Sequence, residues 1–188
     1  MITYDPVTWP PIPRRLLVVG SPRSGTHFFT TMLNRFGMRV KHERMGEDGT
    51  VNWAWLAMRS KDDPVLLVDG RQHYTFDRII HLVRHPLVTI ESLSRELNPV
   101  FWDWQERHSK IAVPDRSDIE KVAAFWVFWT DGCQHLCDQQ LRLEDIAHLG
   151  EVEGKGKGDK RRLHPEELGC MEEEVTKRAE LYGYKMVE

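Results

Sequence analysis

Cysteine is scarce in this chain: three occur in 188 residues, an odd number that does not make a disulfide framework. The N-terminal stretch MITYDPVTWPPIPRR lacks the basic-then-apolar order of a secretion signal. Both features are expected of a reducing, cytoplasmic setting. Cys133 and Cys137 fall four apart on an expected helix and read as buried thiols rather than a metal pair. No apolar run approaches the length of a bilayer span, so no membrane partner is expected. A surplus of charge of one sign is also missing. The formal net charge of −3 argues against a general polyanion binder, so no nucleic-acid partner is expected. Any anion site must then be a local cluster of Lys and Arg. Internal repeats and domain boundaries are absent too, and the oligomeric state is left open.

What is present alternates between strand and helix patterns. Residues 1–14, with several prolines, read as an extended arm, and residues 15–188 as one domain of a size that can bury a core. RLLVVG (15–20) is a short apolar run ending in Gly, the pattern of a buried parallel strand. Residues 26–36 carry Phe28, Phe29, Met32, Leu33 and Phe36 at helical spacing, with Gly37 beyond as a cap. Residues 38–43 read as a second strand and 51–59 as a helix bearing Trp53 and Trp55. Residues 65–69 and 78–84 are two more apolar strands, and Pro86 opens a helix over 87–97. Ser117 and Glu120 have capping-box spacing ahead of a helix with Ile119, Val122, Trp126, Trp129, Cys133 and Leu136 on one stripe. A last strand is expected at 139–144, a basic Gly-spaced loop at 153–162, and a final helix from Pro165 through Tyr182. This order predicts an α/β, three-layer, P-loop-like fold with a mostly parallel central sheet flanked by helices.

The chemistry concentrates after the first strand. Strand, then GSPRSGTHF, then helix, is the layout of a phosphate loop. Gly20 and Gly25 permit tight bends that converge backbone N–H groups on an anion, and the helix start adds the positive end of its dipole. In register with the nucleoside-triphosphate loop GxxxxGK[ST], the Lys position holds Thr26 and the magnesium-binding hydroxyl position holds His27. The cation has moved to Arg23, inside the loop. That departure weighs against a magnesium-dependent kinase.

PRSGT after an apolar strand, together with RIIHLVRHPLVTIESL (78–93), resembles the two nucleotide signatures of sulfotransferases that use 3′-phosphoadenosine 5′-phosphosulfate, PAPS. HERMGEDGTVNW, the Trp-rich helix followed by RLEDI, and the ending AELYGY are similar to small bacterial and phage-type members. The resemblance implies that Ser21, Arg23, Ser24, Gly25, Thr26 and His27 hold the 5′-phosphosulfate, with Arg23 as the basic residue. A fixed cation there stabilises charge that grows on the phosphate side as the sulfuryl group leaves, so no metal is required. It also implies that Arg84 and Ser92, eight residues apart, take the 3′-phosphate. A forked guanidinium suits that task. Arg84 pairing with Asp69, and Ser94 in place of Ser92, stay open.

A general base must take the acceptor proton. Some carbohydrate-directed members use a Glu after the phosphate loop, which makes Glu43 the first choice. Strand alternation predicts that the neighbouring His42 points to the opposite face, so that at most one of the two faces the site. His27 and His73 are further candidates. The basic residues between Lys155 and Arg162 read as a solvated loop or as a closure over the 3′-phosphate. The aromatic stretch 100–104 reads as an acceptor pocket for a sugar or small molecule, or as a core plug. The expected function is sulfuryl transfer from PAPS to a hydroxyl or amine of a small-molecule or carbohydrate acceptor. The rivals are a P-loop kinase and a non-catalytic nucleotide-binding protein of the same fold.

Overall fold

The computed structural model describes residues 11–53, 66–68, 72–96, 117–149 and 163–186. In chain order these form β1 (Ile12–Val19), α1 (Thr26–Arg35), β2 (Val40–His42), β3 (Gly49–Asn52), β4 (Leu66–Val68), β5 (Gln72–Val83), α2 (Pro86–Ser94), α3 (Asp118–Leu136), β6 (Gln139–Arg142), α4 (Leu143–Ile146) and α5 (Glu172–Leu181). A 3-10 turn, Pro165–Met171, kinks at Gly169 before α5.

Five strands run parallel in the order β2-β3-β1-β5-β6. β4 pairs antiparallel with the first residues of β5, on the edge that β6 uses further along. Strands buried on both faces need apolar residues on both, and β1 and β5 supply them. Leu16, Val18 and Leu82 face Phe29 and Met32 of α1. Leu17, Val19, Ile79 and Val83 face the other way, against α2, α3 and the C-terminal helix. The result is the three-layer α/β architecture read from the sequence.

Several boundaries differ. β1 starts at Ile12, so part of the expected arm pairs with Tyr74–Phe76 of β5. The expected helix over 51–59 is not formed at its start: Gly49–Asn52 is a parallel strand between β2 and β1. Gly49 makes that pairing possible, because a Cβ there would fall 1.7 Å from the Leu16 carbonyl oxygen. Buried Thr50 and Val51, both β-branched, favour the extended form. The rest of that helix, Trp55, Asp69, the stretch 100–104 and the loop 153–162 lie outside the described residues.

The expected cap and core of α3 match. Ser117 and Glu120 form a reciprocal capping box at the start of α3. Trp126 and Trp129 are core residues, as is Cys133, whose thiol burial pushes well above its ordinary pKa. Cys137 is half-buried at the end of α3. Among the described residues no helix is long and apolar enough to cross a membrane.

Candidate functional site

The site is built where β1 and β5 end side by side. In a parallel sheet the carboxyl ends of neighbouring strands open onto one crevice. Residues 20–25 leave β1 and turn into α1. Gly25 takes φ +92° as the residue before the helix, a conformation that a side chain disfavours. Arg23 is itself left-handed at φ 71°. The turn is closed by the Ser24 amide, which donates to the Ser21 carbonyl at 3.1 Å. From below, the buried Trp129 indole N–H donates to the Gly20 carbonyl at 3.1 Å. α1 begins with no side-chain cap, so its first-turn amides face outward for an anion.

Ser21, Ser24 and Thr26 are buried within this loop, and Arg23 and His27 are exposed on it. Ser24 Oγ has no hydrogen-bond partner among the described residues. It turns under the loop toward Gly20, where a Cβ would lie 2.5 Å from it.

Two residues from the second signature reach the loop. Arg84 directly follows β5, and its Nη1 donates to the Arg23 carbonyl at 3.3 Å. Arg23 Nε donates to Ser92 Oγ at 3.0 Å, and its Nη1 lies 3.2 Å from Glu96. Ser94, the alternative serine, instead donates to the Glu91 carbonyl on its own helix. Burial draws the Arg84 guanidinium below its ordinary pKa; the Glu144 carboxylate opposes this, and the Arg23 charge adds to it. Two guanidiniums that repel across one crevice are relieved by an anion between them.

A second cluster stands beside the loop. Thr26 Oγ1 lies 2.9 Å from His42 Nε2, and the His27 and His42 rings meet edge-on at 5.5 Å. Glu43 does not alternate away from His42 as strand geometry predicts. β2 ends at His42, and Glu43 adopts φ 56°, which turns its carboxylate back to 3.8 Å from His42 Nε2. Both candidate bases therefore share one side. The Trp53 indole N–H donates to Glu43 at 2.5 Å and fixes that carboxylate. Burial lowers the His42 pKa, with Glu43 raising it and His27 lowering it further, so the ring is neutral at pH 7. His73 is the second residue of β5, at the opposite end of the sheet from the loop. The strand between it and Val83 spans roughly 33 Å.

Sequence reasoning missed three participants. Trp129 is legible as core, but its indole partner is 109 residues away. Glu96 lies outside every quoted motif and Glu144 lies inside RLEDI without a role assigned to it, yet one pairs with Arg23 and the other accepts from the amide of His85, beside Arg84.

No protein-family model matches this chain. No curated protein matches it either. Among solved structures, the mouse sulfotransferase SULT7A1 complexed with PAP is similar at 15% identity and a TM-score of 0.35. The match covers 89% of this chain and 62% of that one.

Proposed function

We propose that the protein is a sulfotransferase that moves a sulfuryl group from PAPS to a hydroxyl or amine of a small-molecule or carbohydrate acceptor. The reading is carried by one observation: at the uncapped start of α1, Arg23 is joined by hydrogen bonds to Arg84 and Ser92, 61 and 69 residues further along the chain. A loop with these cations in place of the lysine and metal-binding hydroxyl of a nucleoside-triphosphate loop suits a nucleotide bearing two separate anionic groups.

In this reading the loop amides and Arg23 hold the 5′-phosphosulfate. Arg84 and Ser92 take the 3′-phosphate. The acceptor oxygen or nitrogen attacks sulfur, the bond from sulfur to the bridging oxygen breaks, and adenosine 3′,5′-bisphosphate leaves. Charge growing on that leaving oxygen is met by Arg23 and the first amides of α1. The acceptor proton passes to the Glu43–His42 pair, in which burial keeps the imidazole neutral and able to accept it.

Calorimetric titration with adenosine 3′,5′-bisphosphate against ATP with magnesium tests the reading. The bisphosphate should bind and the triphosphate should bind far more weakly. Arg84→Ala should weaken the bisphosphate by about 1.5–3 kcal/mol, the scale of a hydrogen bond to a charged group, and 5′-AMP far less. Binding of magnesium–ATP in preference to the bisphosphate would overturn it in favour of a kinase.

A further inference from the structure

A second knot of contacts lies behind Arg84, outside the phosphate loop. β6 ends at Arg142, and Glu144 follows in the first turn of α4. One carboxylate oxygen of Glu144 accepts from the His85 backbone N–H at 3.0 Å. His85 is the residue before α2 and has no side-chain cap of its own, so this carboxylate stands at the positive end of α2. The other oxygen accepts from the Tyr184 hydroxyl at 2.6 Å.

The C-terminal segment is tied to the same place by further contacts. The Tyr184 and His85 rings meet edge-on at 5.2 Å. His85 Nε2 lies 3.2 Å from the Lys185 carbonyl, and because a carbonyl only accepts, the proton is on Nε2. The Arg142 guanidinium lies over the Tyr184 ring at 5.2 Å and donates to the Gly183 carbonyl at 2.9 Å. Arg84 therefore leaves a turn that is fixed from one side by a carboxylate and from the other by the chain's last described residues.

We propose that Glu144 is a positioning residue for Arg84, and that through the His85 amide and the Tyr184 hydroxyl it sets the preference for a ligand carrying a 3′-phosphate. This rests on the nucleotide reading above. Its physical basis is geometric. A forked donor loses its paired contact with a phosphate when the backbone it springs from shifts by a fraction of an ångström. The carboxylate also offsets the burial of the Arg84 charge. Glu144 has no assigned contact with the 5′-phosphosulfate, so its effect is confined to one end of the nucleotide.

The test is calorimetric titration of the full chain with adenosine 3′,5′-bisphosphate and with 5′-AMP, for wild type, Glu144→Gln, Tyr184→Phe, Arg84→Ala and the Glu144→Gln/Arg84→Ala pair. The preference for the bisphosphate should fall roughly three- to tenfold in Glu144→Gln, by the loss of about one hydrogen bond's worth of positioning, with 5′-AMP binding unchanged. Tyr184→Phe, which keeps the ring contact with His85, should move the ratio in the same direction by a smaller factor. The double variant should match Arg84→Ala, since Glu144 acts through that side chain. A wild-type protein that binds both nucleotides equally overturns the nucleotide reading and this inference with it. A wild-type preference that survives Glu144→Gln overturns the inference alone. Equal losses for both nucleotides, or additive losses in the double variant, do the same. Should Glu144→Gln fail to fold, an unchanged ratio in Tyr184→Phe overturns it.

Discussion

In the proposed reaction, Arg23 is the side chain on which the chemistry of the loop turns. Its backbone is left-handed, and Ser92 and Glu96 hold the guanidinium. Its pair with Glu96 is exposed and contributes little to stability, so an anion displaces it readily. Arg23→Ala should therefore slow turnover of labelled PAPS strongly, while nucleotide affinity falls modestly, because its partner charge grows in the transition state. Normal turnover at saturation with collapsed affinity would contradict this, and added EDTA should leave the rate intact. The base is tested by Glu43→Gln, which should cost about 10²–10⁴-fold in rate. Burial lowers the His42 pKa and Glu43 raises it, so in both proteins the acid limb of a His42-dependent rate should lie below the ordinary histidine value. Removing the carboxylate should move that limb to lower pH still. A limb that stays fixed in Glu43→Gln would take His42 out of the proton transfer.

At the scale of elements, capping decides where the helices sit. Glu120 completes the cap of α3 by accepting from the Ser117 amide at 2.9 Å, and its other oxygen accepts from the Cys170 amide at 3.1 Å. It thus joins the start of α3 to the kinked turn before α5. These bonds, that from Ser117 first, pull its carboxyl down to about 2. The folded value lies below the unfolded one, so the stabilisation is complete above about pH 4.5 and is lost as pH falls from there through about 2. Glu120→Gln should lower the melting temperature at pH 7, and the deficit should shrink by pH 3. A deficit that stays constant with pH would remove the charge from this account. The capping box was legible because its two residues are three apart. The tie to Cys170 was not, because it joins residues 50 apart in the chain. β3 was misread for a related reason: a four-residue strand with Gly at its start has no periodicity, and its extended form is imposed by β1 and β2 on either side.

Across the whole molecule, the order of strands and helices was readable because apolar runs and turn residues alternate along the chain. The strand–loop–helix turn at 20–27 was readable because all its parts are contiguous. The convergence of His42 and Glu43 was hidden in a single backbone angle at Glu43. The core also holds a histidine whose burial the sequence reading did not anticipate. His81 is 1% exposed on β5, edge-on to the Tyr182 ring at 5.5 Å, and neither ring nitrogen has a hydrogen-bond partner among the described residues. Burial pushes its pKa down to about 3, so it folds neutral. Above about pH 6.5 it is neutral in both states. Between there and about 3 the unfolded chain binds the proton and the folded one does not, so stability falls with pH by about 1.4 kcal/mol per unit. Chemical denaturation should show that slope as pH falls below about 6.5 and no contribution from His81 above it, and His81→Leu should flatten the acid side. An equal slope in His81→Leu would assign the acid sensitivity elsewhere.

The pair of indoles beneath the crevice has an optical consequence. Trp129 is bonded to the Gly20 carbonyl and Trp53 to the Glu43 carboxylate, and their rings lie 5.8 Å apart. One chromophore is anchored in the floor of the loop and the other at the Glu43–His42 pair, close enough for their excited states to couple. Occupation of the crevice alters the field on both at once. The emission and near-ultraviolet dichroism of the unlabelled protein thus carry a built-in signal for ligand arrival.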